Sequence, residues 1–192
     1  MPPINKITKE MIVNAGKEII KLEGVDRLNV RKIASKLNCS TQPIMYHYKT
    51  VNELKSDIYI AVDEYHSKYI TEIADCNKIN PMLGIGLRYI MFAVKEKNYF
   101  KFLFQTDKFS NLNFNELIEK DSEELSAIYE ILQHQANITK EQSKMLFANL
   151  FITVHGLASL LANNSMKYDE KYCINILENT FYGVINKIKG EK

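Results

Sequence analysis

Between Arg31 and Thr50 the chain concentrates side chains suited to touching nucleic acid. Thr41 and Gln42 suit base edges, because a Gln amide can pair with adenine and a Thr methyl can meet the methyl of thymine. Tyr46, His47 and Lys49 offer phenol, imidazole and ammonium donors to phosphate oxygens, and so does Arg31 upstream. Backbone N–H groups at Thr50, where a helix starts, add a further anion contact, and Ser40, just before Thr41, completes the eight residues expected to bind DNA. Each has a plainer reading: Gln42 can simply be solvated, Tyr46 can pack sideways, and His47 can be a surface histidine.

The elements that carry these residues are legible in the stretch Asn29 to Leu54. Val30, Ile33, Ala34 and Leu37 follow the i, i+3, i+4, i+7 spacing of a two-turn helix with one apolar face. Asn29 is its expected N-cap, and Asn38, which tolerates a left-handed backbone, its stop. Ser40 is placed to cap a second short helix, in whose first turn Pro43 is tolerated because those N–H groups have no intrahelical acceptor. Ile44, Met45 and Tyr48 are expected to face inward from it. Thr50 and Glu53 form a T-x-x-E capping box in which Glu53 reaches back to Thr50, opening a longer helix. Helix, short turn, helix is the helix-turn-helix arrangement, whose second helix is presented to the DNA major groove.

The segment Leu37 to Leu54 resembles, without a gap, the DNA-binding signature of TetR-type bacterial transcriptional regulators: a leucine-Gly-x-Ser turn, a short recognition helix ending in Tyr-x-x-Phe, and a capped helix starting near a Lys and a Leu. The corresponding residues are Leu37, Asn38, Ser40, Met45, Tyr48, Val51 and Leu54. Asn38 stands for Gly and Tyr48 for Phe; Met45 for Tyr and Val51 for Lys each remove a phosphate contact. The resemblance implies a homodimer on a palindromic operator in double-stranded DNA, a regulatory domain that binds a small-molecule effector, and a fourth helix linking the two functions.

Composition agrees with a globular protein. The 192 residues are 46% hydrophobic, ample for a core. Residues 1–60 carry ten Lys+Arg against six Asp+Glu, while residues 61–192 carry fifteen against seventeen, so the basic excess sits with the helix-turn-helix. Four surplus charges are also ordinary scatter on a solvated surface. Cys39, Cys76 and Cys173 lack metal-ligand spacing, so reduced thiols and no metal site are expected. No uninterrupted apolar run reaches the ~18 residues of a membrane span, and the start MPPINKITKE lacks a signal peptide's apolar centre, so a cytoplasmic protein is expected. Gly-rich phosphate loops, H-E-x-x-H, C-x-x-C and G-x-S-x-G are absent, and the expectation is no catalytic residue and no cofactor.

The rest of the chain reads as helix throughout. A first amphipathic helix from Thr8 to Glu23 has Met11, Ala15, Ile19 and Leu22 in one stripe with Ile12, Gly16 and Ile20 beside it, ended by Gly24. The fourth runs from Thr50 to about Asp75, followed by a loop from Cys76 to Asn80-Pro81, which starts a fifth helix to about Glu96. Asn98 is expected to cap a short aromatic piece, Tyr99 to Phe104. A loop over 107–115 precedes a seventh helix from about Phe114 to Asn137, broken near Asp121. Thr139 and Gln142 form another capping box, opening a helix to Asn163-Asn164, and Asp169 caps the last helix.

Those last two helices are apolar over more than one stripe, so each has two surfaces to bury. Leu157, Leu161, Phe181 and Ile185 are the residues expected at a homodimer interface; the alternative is a bundle buried only within one chain. TVHGLASL, residues 153–160, also resembles the His-Gly motif of one branch of the TetR-type C-terminal domains, with Phe151 as the aromatic before the His. His155 is a titratable group in an apolar stretch: with Tyr89, Phe92, Phe102 and Phe151 it is the expected effector lining, while a hydrogen-bonded core His is its plainer role. Gly156 is expected to permit close helix approach, and His66 to be a partly exposed structural residue.

The expected architecture is therefore all-α: a three-helix helix-turn-helix domain over 1–50, then a helical bundle over 51–192 for ligand binding and dimerisation, with 51–75 as connector. The expected function is sequence-specific regulation of transcription by a repressor. A rival is a helical enzyme-accessory or co-activator protein that keeps the fold without binding an operator of its own.

Overall fold

The computed structural model describes residues 7–72, 80–106 and 123–190, all of its regular elements helical. Two compact units divide the chain: Met1–Lys68 with Glu96–Thr106, and Tyr69–Lys95 with Asp107–Lys192. The chain therefore leaves the first unit after Lys68, returns to it for eleven residues at Glu96–Thr106, and leaves again.

In the first unit, α1 (Lys9–Glu23) starts at Thr8, whose hydroxyl accepts from the Met11 N–H at 3.2 Å, and stops at Gly24, whose φ of 88° suits glycine alone. Ile12, Ala15, Gly16, Ile19 and Ile20 are buried, whereas Leu22 is 74% exposed and Met11 also lies outside the buried arc. The expected stripe was thus rotated by about one position: 3.6-residue periodicity defines an apolar arc, and packing chooses its centre. After a 3-10 turn at Val25–Arg27 comes α2 (Val30–Lys36), capped by Asn29 accepting from Lys32 N–H at 2.9 Å. Asn38 takes the left-handed conformation, φ 50°, as expected.

The recognition candidate α3 (Thr41–His47) buries Ile44, and Tyr48 follows it inward; Met45 is instead exposed, because a single turn between Ile44 and Tyr48 leaves only one face against α1 and α2. Ser40 precedes α3 without a side-chain capping bond. α4 (Val51–Thr71) buries Leu54, Ile58, Val62 and His66, an unbroken i+4 stripe. Its start departs from the expected box: Thr50 accepts from Glu53 N–H at 3.2 Å, but the Glu53 carboxylate accepts from Lys49 N–H at 2.8 Å rather than from Thr50. His66 is buried rather than partly exposed, with its ring 5.1 Å from that of Phe104.

α6 (Lys97–Phe104) completes this unit by packing on α1. Asn98 does not cap it; its amide donates to Lys21 O of α1 at 2.9 Å, across 77 positions.

In the second unit, α8 (Lys140–Ala162) packs against α5 (Pro81–Lys95), α7 (Glu123–Ala136) and α9 (Glu170–Lys189). Both bonds of the Thr139–Gln142 box form, Asn80 accepts from Met82 N–H at 3.0 Å, and Asp169 accepts from Tyr172 N–H at 3.1 Å. With 23 residues α8 is long and apolar enough to cross a membrane; here Leu146, Leu150, Val154, Leu157 and Leu161 are covered by its neighbours. Gly86 of α5 brings the helices close: a Cβ there would lie 3.1 Å from Val154 and 3.5 Å from Leu177. Among the described residues nothing lies within 4 Å of a Cβ added at Gly156, so the close approach between α5, α8 and α9 falls to Gly86. The end of α4 near Asp75, the loop at Cys76, the loop over 107–115 and the start of the seventh helix at Phe114 lie outside the described residues.

Two outcomes follow from the first unit. Gly16 lets α1 approach α4, a Cβ there falling 2.3 Å from Ile58 Cδ1 and 3.2 Å from its Cγ1. Gly16→Val overpacks this crossing and lowers unfolding free energy in denaturant by roughly 1–3 kcal/mol. Burial lowers the His66 pKa from 6.5 to about 4, so the unfolded chain takes up this proton first. Stability is then full above pH 6.5 and falls as pH drops to about 4, by on the order of 3 kcal/mol. Denaturant titrations of wild type and His66→Leu across that range check it: the substitution flattens the profile.

Candidate functional site

Tyr48, the residue just past α3, determines where that helix sits. It is buried, its N–H donates to Ile44 O at 2.9 Å, and its hydroxyl donates to Asp57 Oδ2 of α4 at 2.8 Å. Lys9 of α1 reaches the same carboxylate at 3.9 Å and lies 5.0 Å from the Tyr48 ring centroid. Burial first, and then the bond to Asp57, push the Tyr48 phenol well above its ordinary pKa, so it stays a donor at any physiological pH.

The outer face of α3 carries the expected contact residues. Thr41 and Gln42 are exposed and adjacent at its first turn, with Ser40 exposed before them. Tyr46 is 79% exposed, its ring edge-on to His47 at 5.4 Å. His47 itself is half-buried and bonds through Nε2 to the Ile7 carbonyl at 2.9 Å, so that nitrogen carries the proton and holds the chain before α1. Among the described residues Arg31 and Lys49 are exposed and form no ion pair, whereas Lys32 pairs with Glu23 and Lys36 with Glu18. At Thr50 the carboxylate of Glu53 occupies the Lys49 N–H, leaving that group engaged. Seven of the eight expected residues, His47 aside, thus retain an exposed position on or beside α2–α3.

A second cluster lies in the other unit. Tyr89 of α5 meets His155 of α8, hydroxyl to Nδ1 at 3.0 Å. Phe147, Phe151 and His155, spaced i, i+4, i+8 along α8, stack at 5.9 and 5.6 Å with planes 27° and 24° apart. Tyr129 of α7 meets Phe147 edge-on at 5.6 Å. Burial lowers the His155 pKa and so favours the neutral ring, which keeps one nitrogen as donor and the other as acceptor. Of the five residues expected to line a pocket, Tyr89, Phe151 and His155 come together. Phe92 is fully buried with its ring 5.4 Å from Tyr69, and Phe102 belongs to the first unit, 5.8 Å from Tyr59. Phe147 and Tyr129 were missed as members; the i+4 spacing of Phe147, Phe151 and His155 carried the signal for the former.

The four residues expected at a dimer interface, Leu157, Leu161, Phe181 and Ile185, are buried by the chain's own bundle and face inward. The apolar side chains left exposed on the same helices are Met145, Ile152 and Leu160 of α8 and Tyr172 and Tyr182 of α9. No family model matches the chain, and no curated protein matches it.

Tyr48→Phe keeps the ring and deletes only the bond to Asp57. We expect a loss of about 1–2 kcal/mol in denaturant unfolding, larger than for an exposed Tyr46→Phe control.

Proposed function

We propose that the chain is a TetR-type transcriptional regulator: a homodimeric, sequence-specific repressor that leaves a palindromic operator in double-stranded DNA when a small-molecule effector binds. The observation that supports this most is the exposed face of α3, where Thr41, Gln42 and Tyr46 stand outward while Ile44 and Tyr48 hold the helix from behind. A helix anchored on one side and polar on the other is what the major groove admits. Thr41 and Gln42 read base edges; Tyr46, Arg31 and Lys49 hold phosphates and so supply the salt-sensitive share of affinity.

A second copy docks on the exposed stripe of Ile152 and Leu160 with Tyr172 and Tyr182, where, among the described residues, nothing would crowd a Cβ at Gly156 or Gly183, so that both admit a close neighbour. Dimerisation presents two recognition helices to half-sites about 34 Å apart. The effector binds beside Tyr89, Phe151 and His155, an aromatic surface carrying one polar nitrogen, with Phe147 and Tyr129 extending it. Effector shifts the equilibrium only by preferring the arrangement that no longer fits both half-sites, and operator weakens effector binding by the same factor.

Selection of retained sequences from random duplex DNA, repeated over a salt series, tests the reading. A palindrome is expected; salt-sensitive binding without sequence preference, or none, overturns it. Gln42→Ala weakens operator binding by about 1–3 kcal/mol and relaxes one base position, while Lys49→Ala lowers affinity uniformly and reduces the salt slope by about 1. Ile152→Asp shifts the sedimentation of the chain from dimer toward monomer; an unchanged dimer removes this stripe as the interface.

A further inference from the structure

Glu96 is the one residue between α5, which ends at Lys95, and α6, which begins at Lys97. Its side chain is only 11% exposed, and a single oxygen, Oε1, accepts from Lys21 Nζ of α1 at 2.8 Å and from Tyr65 OH of α4 at 3.2 Å. The Lys21 amine is held above its ordinary pKa chiefly by that bond, against the effect of desolvation. The next residues tighten the same junction. Asn98 donates to Lys21 O, one of the carbonyls left without an intrahelical partner at the end of α1, and Tyr99 OH donates to Lys17 O at 3.2 Å. Tyr99 also stacks edge-on with Tyr65 at 5.9 Å.

α1 and α4 are therefore tied at two places. Near one end Tyr48 of the recognition helix takes Asp57 of α4 and lies under Lys9 of α1; near the other Glu96 takes Tyr65 and Lys21. At a rise of 1.5 Å per residue the two ties are about 18 Å apart along α1 and about 12 Å apart along α4. The helix pair that grips α3 is the pair that Glu96 joins.

We propose that Glu96 is a positioning residue for the recognition helix: by holding α1 and α4 together at one end it sets how the pair grips α3 at the other. As a statement about regulation it rests on the DNA-binding reading above. Its physical content does not: a carboxylate shared by two helices at one end sets how Tyr48 is held at the other.

The test uses the full chain carrying Glu96→Gln, which keeps the size of the side chain and removes its charge, with Lys21→Met as a second variant should the first fail to fold. Amide hydrogen exchange without DNA is expected to quicken by about tenfold in the last turn of α1 and in α3, and to stay unchanged in α8 and α9. Wild type and variant are then titrated with the selected duplex and with a scrambled one. Loss of a negative charge by itself tightens binding to any DNA; positioning instead lowers the preference for the selected duplex by about tenfold without weakening scrambled binding. Unchanged exchange in α3 overturns the proposal, as does an unchanged preference where wild type discriminates between the duplexes. If wild type binds neither duplex while α3 exchange quickens, the DNA-binding reading fails and the positioning role stands.

Discussion

A seven-residue helix has almost no stability of its own in water, since nucleation costs more than two turns of hydrogen bonding return. α3 exists because something outside it holds it, and that constraint orders the whole first unit. Its only buried side chain is Ile44, fully enclosed, with Tyr48 behind it. To enclose Ile44, α1 and α2, the helices packed on α3, must both present an apolar arc, and Ile12, Ile19, Ile33 and Ala34 are buried on them. To hold Tyr48, α4 must start at the right height, which the Thr50–Glu53 cap sets, and must pass close to α1, which Gly16 allows. The polar outer face is free to vary because none of this work falls on it.

The second unit solves a different problem with the same physics. α8 is apolar on nearly all sides, so a single neighbour could not cover it, and three helices do. What they leave uncovered is a narrow stripe through Ile152 and Leu160, and the half-buried aromatic ladder of Phe147, Phe151 and His155. The ladder is a consequence of the i+4 register on a straight helix: flat rings at that spacing stack whenever the facing helix supplies edges rather than bulk, as Tyr129 and Tyr89 do.

Most local signals in the sequence were legible because the groups involved are near neighbours, the Ser40 cap and the Glu53 half of the Thr50 box excepted. Asn29, Asn80, Asp169 and the Thr139–Gln142 box each satisfy an N–H within three residues, and Asn38 needs only its own backbone. Signals that depend on distant partners failed in an instructive way. Asn98 has the form of a cap, but the nearby end of α1 offered it an unsatisfied carbonyl 77 positions away. His66 looked mixed in sequence because its neighbours alternate; the stripe Leu54, Ile58, Val62 places it inside regardless. Leu157, Leu161, Phe181 and Ile185, expected at an interface, are buried by the chain's own bundle, as strongly apolar positions commonly are. The apolar residues left exposed on the last two helices, such as Ile152 and Leu160, are the less conspicuous ones. The exposure of Thr41, Gln42 and Tyr46 on α3 was legible for the opposite reason, since polar side chains on a short anchored helix need no partner inside the chain.

The charge of the first unit also divides in a way that composition alone conceals. Lys9, Lys21, Lys32 and Lys36 engage Asp57, Glu96, Glu23 and Glu18, so these four cations and four anions largely cancel where they stand. Arg31 and Lys49 keep uncompensated charge beside the outer face of α3. The three exposed pairs, at Lys9, Lys32 and Lys36, add little to stability, about 0–1 kcal/mol each, and are screened by salt. Their larger effect is on the field: pairing offsets these four lysines where they stand, while among the described residues Arg27, Arg31 and Lys49 are exposed without an ion pair. In the proposed reading that matters more than the net excess. A diffuse basic surface would bind DNA in many orientations, whereas two unpaired cations flanking one helix favour the orientation in which that helix meets the groove.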